Sequence, residues 1–132
     1  MNGDRPLRAS VVILTYNNRD EIEPCLDAIL RQDLPSEAYE VIVVDNASTD
    51  GGGELIRQAY PQVRFLPLDA NYGFAAGNNR GFREARGEWV VFLNADTEVE
   101  PDWLSQLLRA VEGRPEIGAA YAAQVLDWDQ SQ

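Results

Sequence analysis

The sequence predicts an α/β protein, with a mostly parallel sheet carrying helices on both faces. Two observations support this. Short β-rich runs recur along the chain, and the first, Ala9–Thr15, is continuous rather than alternating, as a strand buried on both faces requires. Between them lie stretches whose apolar residues recur at helical spacing, and strand–helix alternation implies right-handed parallel crossovers. The length, 132 residues, suits one domain spanning residues 1–132.

The elements follow in order. Ala9–Thr15 is the first buried strand. Asp20 with Glu23 reads as a capping box, and Pro24 falls in the first turn of the helix it opens. Ile22, Cys25, Leu26, Ile29 and Leu30 then repeat at i, i+3, i+4, i+7 and i+8. Residues 40–45 form a second strand. Ser48 or Thr49 can cap a helix running towards Tyr60, whose first turn is weakened by Gly51, Gly52 and Gly53. Residues 63–66 are a third strand. Residues 74–86 read as a helix loosened by Gly77 and Gly81 and stopped by Gly87. Residues 89–93 are a fourth strand. Pro101 suits a first helical position, ahead of an apolar stripe of Trp103, Leu104, Leu107, Leu108 and Val111. Residues 117–123 are expected to add one more strand.

Composition narrows the function. A net charge of -11 argues against nucleic acid or an anionic membrane surface as partner. It also means that a phosphorylated ligand would need a cation, a helix N-terminus or backbone N–H groups to offset the field. The chain has no histidine, which removes Ser-His-Asp, Cys-His and His-metal schemes together. Cys25 is the single cysteine; its apolar neighbours make it a buried structural thiol, and a reducing cytoplasm is the expected setting. Residues 1–8 contain no apolar stretch of the secretory type, and no apolar run is long enough to cross a bilayer.

In open parallel sheets ligands bind outside the carboxyl ends of the strands. Three polar clusters fall there: Thr15-Tyr16-Asn17, Asp45-Asn46 and Asn94-Ala95-Asp96. An aromatic ring such as Tyr16 offers a stacking face for a base. A carboxylate such as Asp45 can accept a hydrogen bond from a pyrimidine ring N–H. A second, Asp96, can hold Mg²⁺ or Mn²⁺, which take one or two protein oxygens alongside water and phosphate oxygens. Such a cation would also answer the charge problem. An Asp after a strand is equally a common turn or cap residue, so the weight lies in the joint placement.

The segments Val11-Val-Ile-Leu-Thr-Tyr-Asn17, Val43-Val-Asp-Asn-Ala-Ser-Thr-Asp50 and Leu93-Asn-Ala-Asp-Thr97 resemble those of the family 2 inverting glycosyltransferases, with the Rossmann-like GT-A fold. Asn71-Tyr-Gly-Phe-Ala-Ala-Gly-Asn-Asn79 is similar to the corresponding stretch of rhamnosyltransferase-like members, and the likeness runs from about Arg8 to Asp127. The resemblance implies a nucleotide-diphosphate sugar as donor. Tyr16 would flank the nucleobase with support from Thr15 and Asn17. Asp45 would accept from its ring N–H, implying a UDP- or dTDP-sugar. Asn46, Gly77, Asn78 and Ala95 complete the expected nucleotide-binding set. Asp96 would be the protein ligand of the Mg or Mn divalent cation, at the end of a DxD-like motif. The sequence departs from the full motif, since Asn94 and Ala95 are not acidic, and Gly73 stands where some members carry a basic residue. For Asn78 and Asn79 two readings stand open: donor contact, or satisfaction of loop carbonyls. Gly77 admits close helix packing equally well, and Trp89 and Trp103 are read as packing residues rather than a sugar platform.

An inverting transferase needs a general base near the acceptor hydroxyl. By the resemblance that carboxylate lies beyond the fifth strand, in an acceptor-binding half past Gln132. Asp127 and Asp129 are expected on the solvated surface, so no catalytic residue is assigned. The chain is expected to bind donor but not to transfer hexose alone. The glycan or lipid-linked acceptor, and any peripheral membrane association, would belong to a longer parent. The alternative is a nucleotide-binding module with no transfer activity. A dinucleotide oxidoreductase is excluded because Thr15-Tyr16-Asn17-Asn18 replaces a G-x-G-x-x-G turn. A sugar nucleotidyltransferase would need a Gly-rich basic loop there, and a response-regulator receiver an acidic pair.

Overall fold

The computed structural model describes residues 7–112. Four parallel strands, β1 (Ala9–Thr15), β2 (Tyr39–Asp45), β3 (Arg64–Pro67) and β4 (Trp89–Asn94), lie in the order β3-β2-β1-β4. The register pairs Thr15 with Asp45, Leu14 with Asn94, and Asp45 with Pro67. The carboxyl ends of the strands therefore share one rim, and the strand order reverses at β1. The expected parallel α/β architecture is present. The short β3 is an edge strand, a position that tolerates Pro67.

Four α-helices cover the sheet: α1 (Arg19–Ile29), α2 (Gly52–Ala59), α3 (Phe74–Glu84) and α4 (Trp103–Glu112). The alternation of side chains along each strand explains the two cores. Val11, Ile13, Val41, Val43, Val91 and Leu93 point to the face that holds Ile22, Leu26 and Ile29 of α1, Ile56 of α2, and Leu104 and Leu108 of α4. Trp89 and Trp103 pack at the edge of this core, as read from the sequence. Val12, Ile42 and Val44 point to the opposite face, where α3 lies close to β1 and β2. Gly77 and Gly81 permit that approach: a Cβ on Gly81 would stand 2.4 Å from Val12 Cγ1, and one on Gly77 2.5 Å from Leu14 Cδ1.

Several local expectations are corrected. Helix α1 begins at Arg19, so Asp20 and Glu23 form no capping box; Asn18 is the N-cap residue, and its side chain turns back to the end of β1. Pro24 consequently lies in the second turn, where it takes one donor from the exposed Asp20. Helix α2 is not capped by Ser48 or Thr49: Gly51, at φ 84, is the N-cap, and Asp50 Oδ1 accepts from the Gly52 N–H (2.9 Å). Helix α3 ends at Glu84 with Ala85 extended. Gly87 has another task, since its Cα lies against the Ala9–Ser10 backbone. Pro101 precedes α4 rather than opening it, and its carbonyl accepts from the Asp33 N–H (2.8 Å). The expected strand at 117–123, and Asp127 and Asp129, lie outside the described residues. No helix among the described residues is long and apolar enough to cross a membrane.

At the amino end of the sheet one partly buried polar knot closes the α3–β4 connection. Ser10 donates to Glu40 Oε2 (2.6 Å), Arg64 Nη1 to Glu40 Oε1 (3.0 Å), and the Arg86 N–H to Glu40 Oε2 (2.8 Å). Burial works against the Glu40 charge, but the Ser10 hydroxyl, the Arg86 amide and the Arg64 guanidinium outweigh it and hold the carboxyl below its ordinary value of 4.5. A lowered carboxyl contributes stability that is complete above its unfolded value and fades as pH falls through the folded one. Glu40→Gln is expected to cost about 1–2 kcal/mol at pH 7. In urea unfolding the gap from wild type should narrow below pH 4.5; a gap constant with pH would show that the charge contributes nothing.

Candidate functional site

The loops that follow the strands meet at the carboxyl rim around an open cleft of about 410 Å³. Leu14, Tyr16 and Asn18 line it from β1 and the turn after it, and Asn46 from the end of β2. Asn71 and Gly73 come from the segment between β3 and α3, Phe74 is the first residue of α3, and Asn94, Ala95 and Asp96 come from the end of β4 and the turn after it. Among these residues Asp96 is the one formal charge, and none is Lys or Arg. The cleft therefore offers an anion no cationic side chain among its described lining.

Two aromatic rings stand open on this cleft. Tyr16 is 46% exposed and Phe74 64%, which costs hydration free energy in the free protein and leaves flat apolar surface for a ligand. Of the residues expected from the sequence, Tyr16, Asn46, Ala95 and Asp96 line the cleft together. Thr15, Asn17, Asp45, Gly77 and Asn78 do not, and for most of them the reason is a tie elsewhere.

Thr15 is buried and donates to Asn18 Oδ1 (3.2 Å), which also accepts from the Tyr16 N–H (2.9 Å). Asn17, at φ 54, receives the Thr49 N–H on its Oδ1 (2.8 Å) and donates its own N–H to Ser48 Oγ (2.8 Å). Asp45 is 6% exposed, and its Oδ1 accepts from the Ser48 N–H (3.1 Å) and hydroxyl (2.5 Å). Asp50 Oδ2 accepts from the Arg19 N–H (3.0 Å). These bonds join the β1 and β2 loops into one polar corner beneath Tyr16. Gly77 lies one layer below the cleft, against Leu14 and Asn46. Asn78 is half-buried on α3.

Leu14, Asn18, Asn71 and Phe74 also line the cleft, although the sequence assigned them no binding role, and so does Gly73, which the resemblance had placed near the base. Asn71, Gly73 and Phe74 lie in the family-like Asn71–Asn79 segment, and the polar Asn71 also follows a strand end, that of β3.

Asp96 is exposed, and its Oδ1 accepts from the Thr97 hydroxyl (3.5 Å). No group of three or more His, Cys, Asp or Glu among the described residues could hold a metal ion alone. A lone carboxylate at an open rim suits Mg²⁺ or Mn²⁺, which keep waters and share phosphate oxygens, better than a closed structural metal site. Cys25 is not part of the site. It is buried, donates to the Asn94 carbonyl (3.6 Å), and burial pushes its thiol up to about 12.

The sequence matches the glycosyl transferase family 2 profile over residues 10–130. Glycosyltransferase AglE of Haloferax volcanii is 36% identical over 107 residues, 79% of this chain and 35% of the relative. The succinoglycan biosynthesis protein ExoO of Rhizobium meliloti is 34% identical over 125 residues, 94% of this chain and 34% of the relative. The chain thus spans about a third of the length of these relatives. Among solved structures, a mannosyltransferase from Pyrobaculum calidifontis in complex with GDP-Man and Mn²⁺ superimposes with a TM-score of 0.71 at 35% identity, over 82% of this chain and 33% of that one. Residues 1–349 of S. aureus TarS in complex with UDP give a TM-score of 0.75 at 26% identity, over 81% of this chain and 32% of that one. The sheet and its flanking helices are those of the GT-A fold, and the chain belongs to glycosyl transferase family 2.

Proposed function

We propose that this chain binds the nucleotide-diphosphate sugar donor of a glycosyltransferase, with a divalent cation held at Asp96, for hexose transfer to a glycan or lipid-linked acceptor. One observation carries this reading: a cleft at the carboxyl rim combines an exposed aromatic ring, several amides and one carboxylate, with no basic side chain among its described lining. Tyr16 would stack on the base, the Asn17–Ser48–Asp45 corner would hold that ring's loop in place, and Asp96 would face the diphosphate. A cation bound there supplies positive charge against the diphosphate leaving group. Two solved neighbours, one in complex with UDP and one with GDP-Man and Mn²⁺, support the donor class and the metal.

Residues 1–132 would act as one donor-binding unit. No described residue is proposed as general base, because the single cleft carboxylate is assigned to the cation. The succinoglycan biosynthesis relative supports a role in cell-surface polysaccharide biosynthesis, and the free, buried Cys25 accords with a cytoplasmic setting.

Asp45 is proposed as acceptor for the ring N–H of uracil or thymine. In support, it pairs in register with Thr15, next to Tyr16, and Ser48 fixes the orientation of its carboxylate. Calorimetric titration with UDP, dTDP, GDP and CDP, with and without Mn²⁺, tests the reading. UDP or dTDP should bind best, and Asp45→Ala should weaken them by about 1–3 kcal/mol. A second reading, a guanine nucleotide, is favoured by the 35% identity to the GDP-Man-bound neighbour. GDP binding as tight as UDP in the wild-type chain would overturn the pyrimidine assignment in its favour.

A further inference from the structure

The segment between β3 and α3, with the first residue of α3, supplies Asn71, Gly73 and Phe74 to the cleft wall, yet it has little core of its own: residues 69–74 are all exposed. Leu68 ties its start to the sheet, its N–H donating to the Asp45 carbonyl (2.9 Å), and beyond Leu68 the turn is held by the side chain of Asn46. Asn46, 2% exposed at the end of β2, donates through Nδ2 to the Gly73 carbonyl (3.0 Å) and accepts at Oδ1 from the Tyr72 N–H (3.1 Å). Its own N–H donates to the Thr15 carbonyl (2.9 Å), so the residue is fixed to β1 as well. Space for the amide is kept by Gly77, where a Cβ would stand 3.1 Å from Asn46 Nδ2.

Both polar ends of this buried amide are thus spent on one turn, and that turn carries Gly73 at φ 91 and sets where α3 and the Phe74 ring begin. Resting on the donor-site reading above, we propose that Asn46 is a positioning residue. It sets the Asn71–Phe74 wall of the cleft, and nucleotide affinity depends on it through that wall rather than through contact between Asn46 and the nucleotide. An unclamped turn would sample other conformations, and the ordering cost would fall on the binding step.

The test measures amide hydrogen exchange at Tyr72 in the ligand-free full chain, and UDP and GDP affinity by calorimetry, in wild type, Asn46→Ala, Phe74→Ala and the double variant. Asn46→Ala should speed Tyr72 exchange at least about tenfold, since its acceptor is gone. It should also weaken the better-binding nucleotide roughly 5- to 30-fold. In the Phe74→Ala background the same change should weaken binding several-fold less, because the two act through one wall. An equal loss in both backgrounds, or unchanged Tyr72 exchange, would overturn the proposal. If Asn46→Ala does not fold, Asn46→Ser, which cannot reach both partners, takes its place with the same expectations. Failure of the wild-type chain to bind either nucleotide would instead overturn the donor-site reading, while the exchange result would still decide whether Asn46 clamps the turn.

Discussion

Gly87→Ala is expected to destabilise the fold by about 3 kcal/mol or more, the largest effect of a single added methyl group among the described glycines. The new Cβ would stand 2.5 Å from the Ala9 carbonyl carbon and 2.6 Å from the Ser10 nitrogen. These are backbone atoms of the central strand, which is bonded to β2 on one side and β4 on the other, so they cannot yield without breaking a ladder. The same residue donates its N–H to Ser10 Oγ (2.8 Å), a hydroxyl that also serves Glu40, so displacement would disturb the polar knot as well. Gly81→Ala and Gly77→Ala meet side chains instead, Val12 Cγ1 at 2.4 Å and Leu14 Cδ1 at 2.5 Å. Rotamer shifts can relieve part of that overlap, and about 1–3 kcal/mol is expected for each. Urea unfolding of the three variants should rank Gly87→Ala as the most damaging. A Gly87→Ala chain as stable as wild type would mean that β1 is not fixed as described.

That ranking bears on what could be read from the residues alone. All four strands were legible within a residue or so at each end: β1, β2 and β4 because strands buried on both faces must be continuously apolar, and the short edge strand β3 from its β-rich run despite Arg64. The helix stripes were legible for the same reason, burial against one face. Helix starts were not. Asn18, Ser48 and Asp50 have the chemistry of caps, but beside their local partners Asp45 and Gly52, Ser48 also accepts from Asn17 and Asp50 from Arg19, across the β1 and β2 loops. Those cross-loop partners, about thirty residues away, leave no local spacing signal. The site divided along the same line. Tyr16 and Asp96 could be placed from strand ends, whereas the contribution of residues 71–74 depends on Asn46 reaching across from β2, a tertiary fact. Of the two readings open for Gly77, ligand approach and close helix packing, its nearest neighbours Leu14 and Asn46 fit the packing one.

Asp96→Asn is expected to remove the Mn²⁺-dependent part of nucleotide affinity while leaving the fold intact. The chain carries a net charge of -11, and the described cleft lining offers no Lys or Arg to a diphosphate. A divalent cation is then the main source of positive charge, and Mn²⁺ should raise wild-type affinity for the preferred nucleoside diphosphate on the order of tenfold or more, about 1.4 kcal/mol. Asp96 is the one carboxylate lining the cleft, and it is exposed, so the substitution disturbs no packing. Asparagine keeps the shape but replaces a hard anionic oxygen with a neutral carbonyl, too weak a ligand to localise Mg²⁺ or Mn²⁺ at an open rim. Glu98 and Glu100 are also exposed and nearby in sequence but do not line the cleft, which makes Glu98→Gln and Glu100→Gln the controls. Titration of each variant with the nucleotide, in Mn²⁺ and in EDTA, should show enhancement by the metal retained in both controls and reduced below about twofold in Asp96→Asn. Equal enhancement in Asp96→Asn and wild type would show that the cation is held elsewhere. Enhancement lost in a control but kept in Asp96→Asn would move the metal to the segment that follows β4.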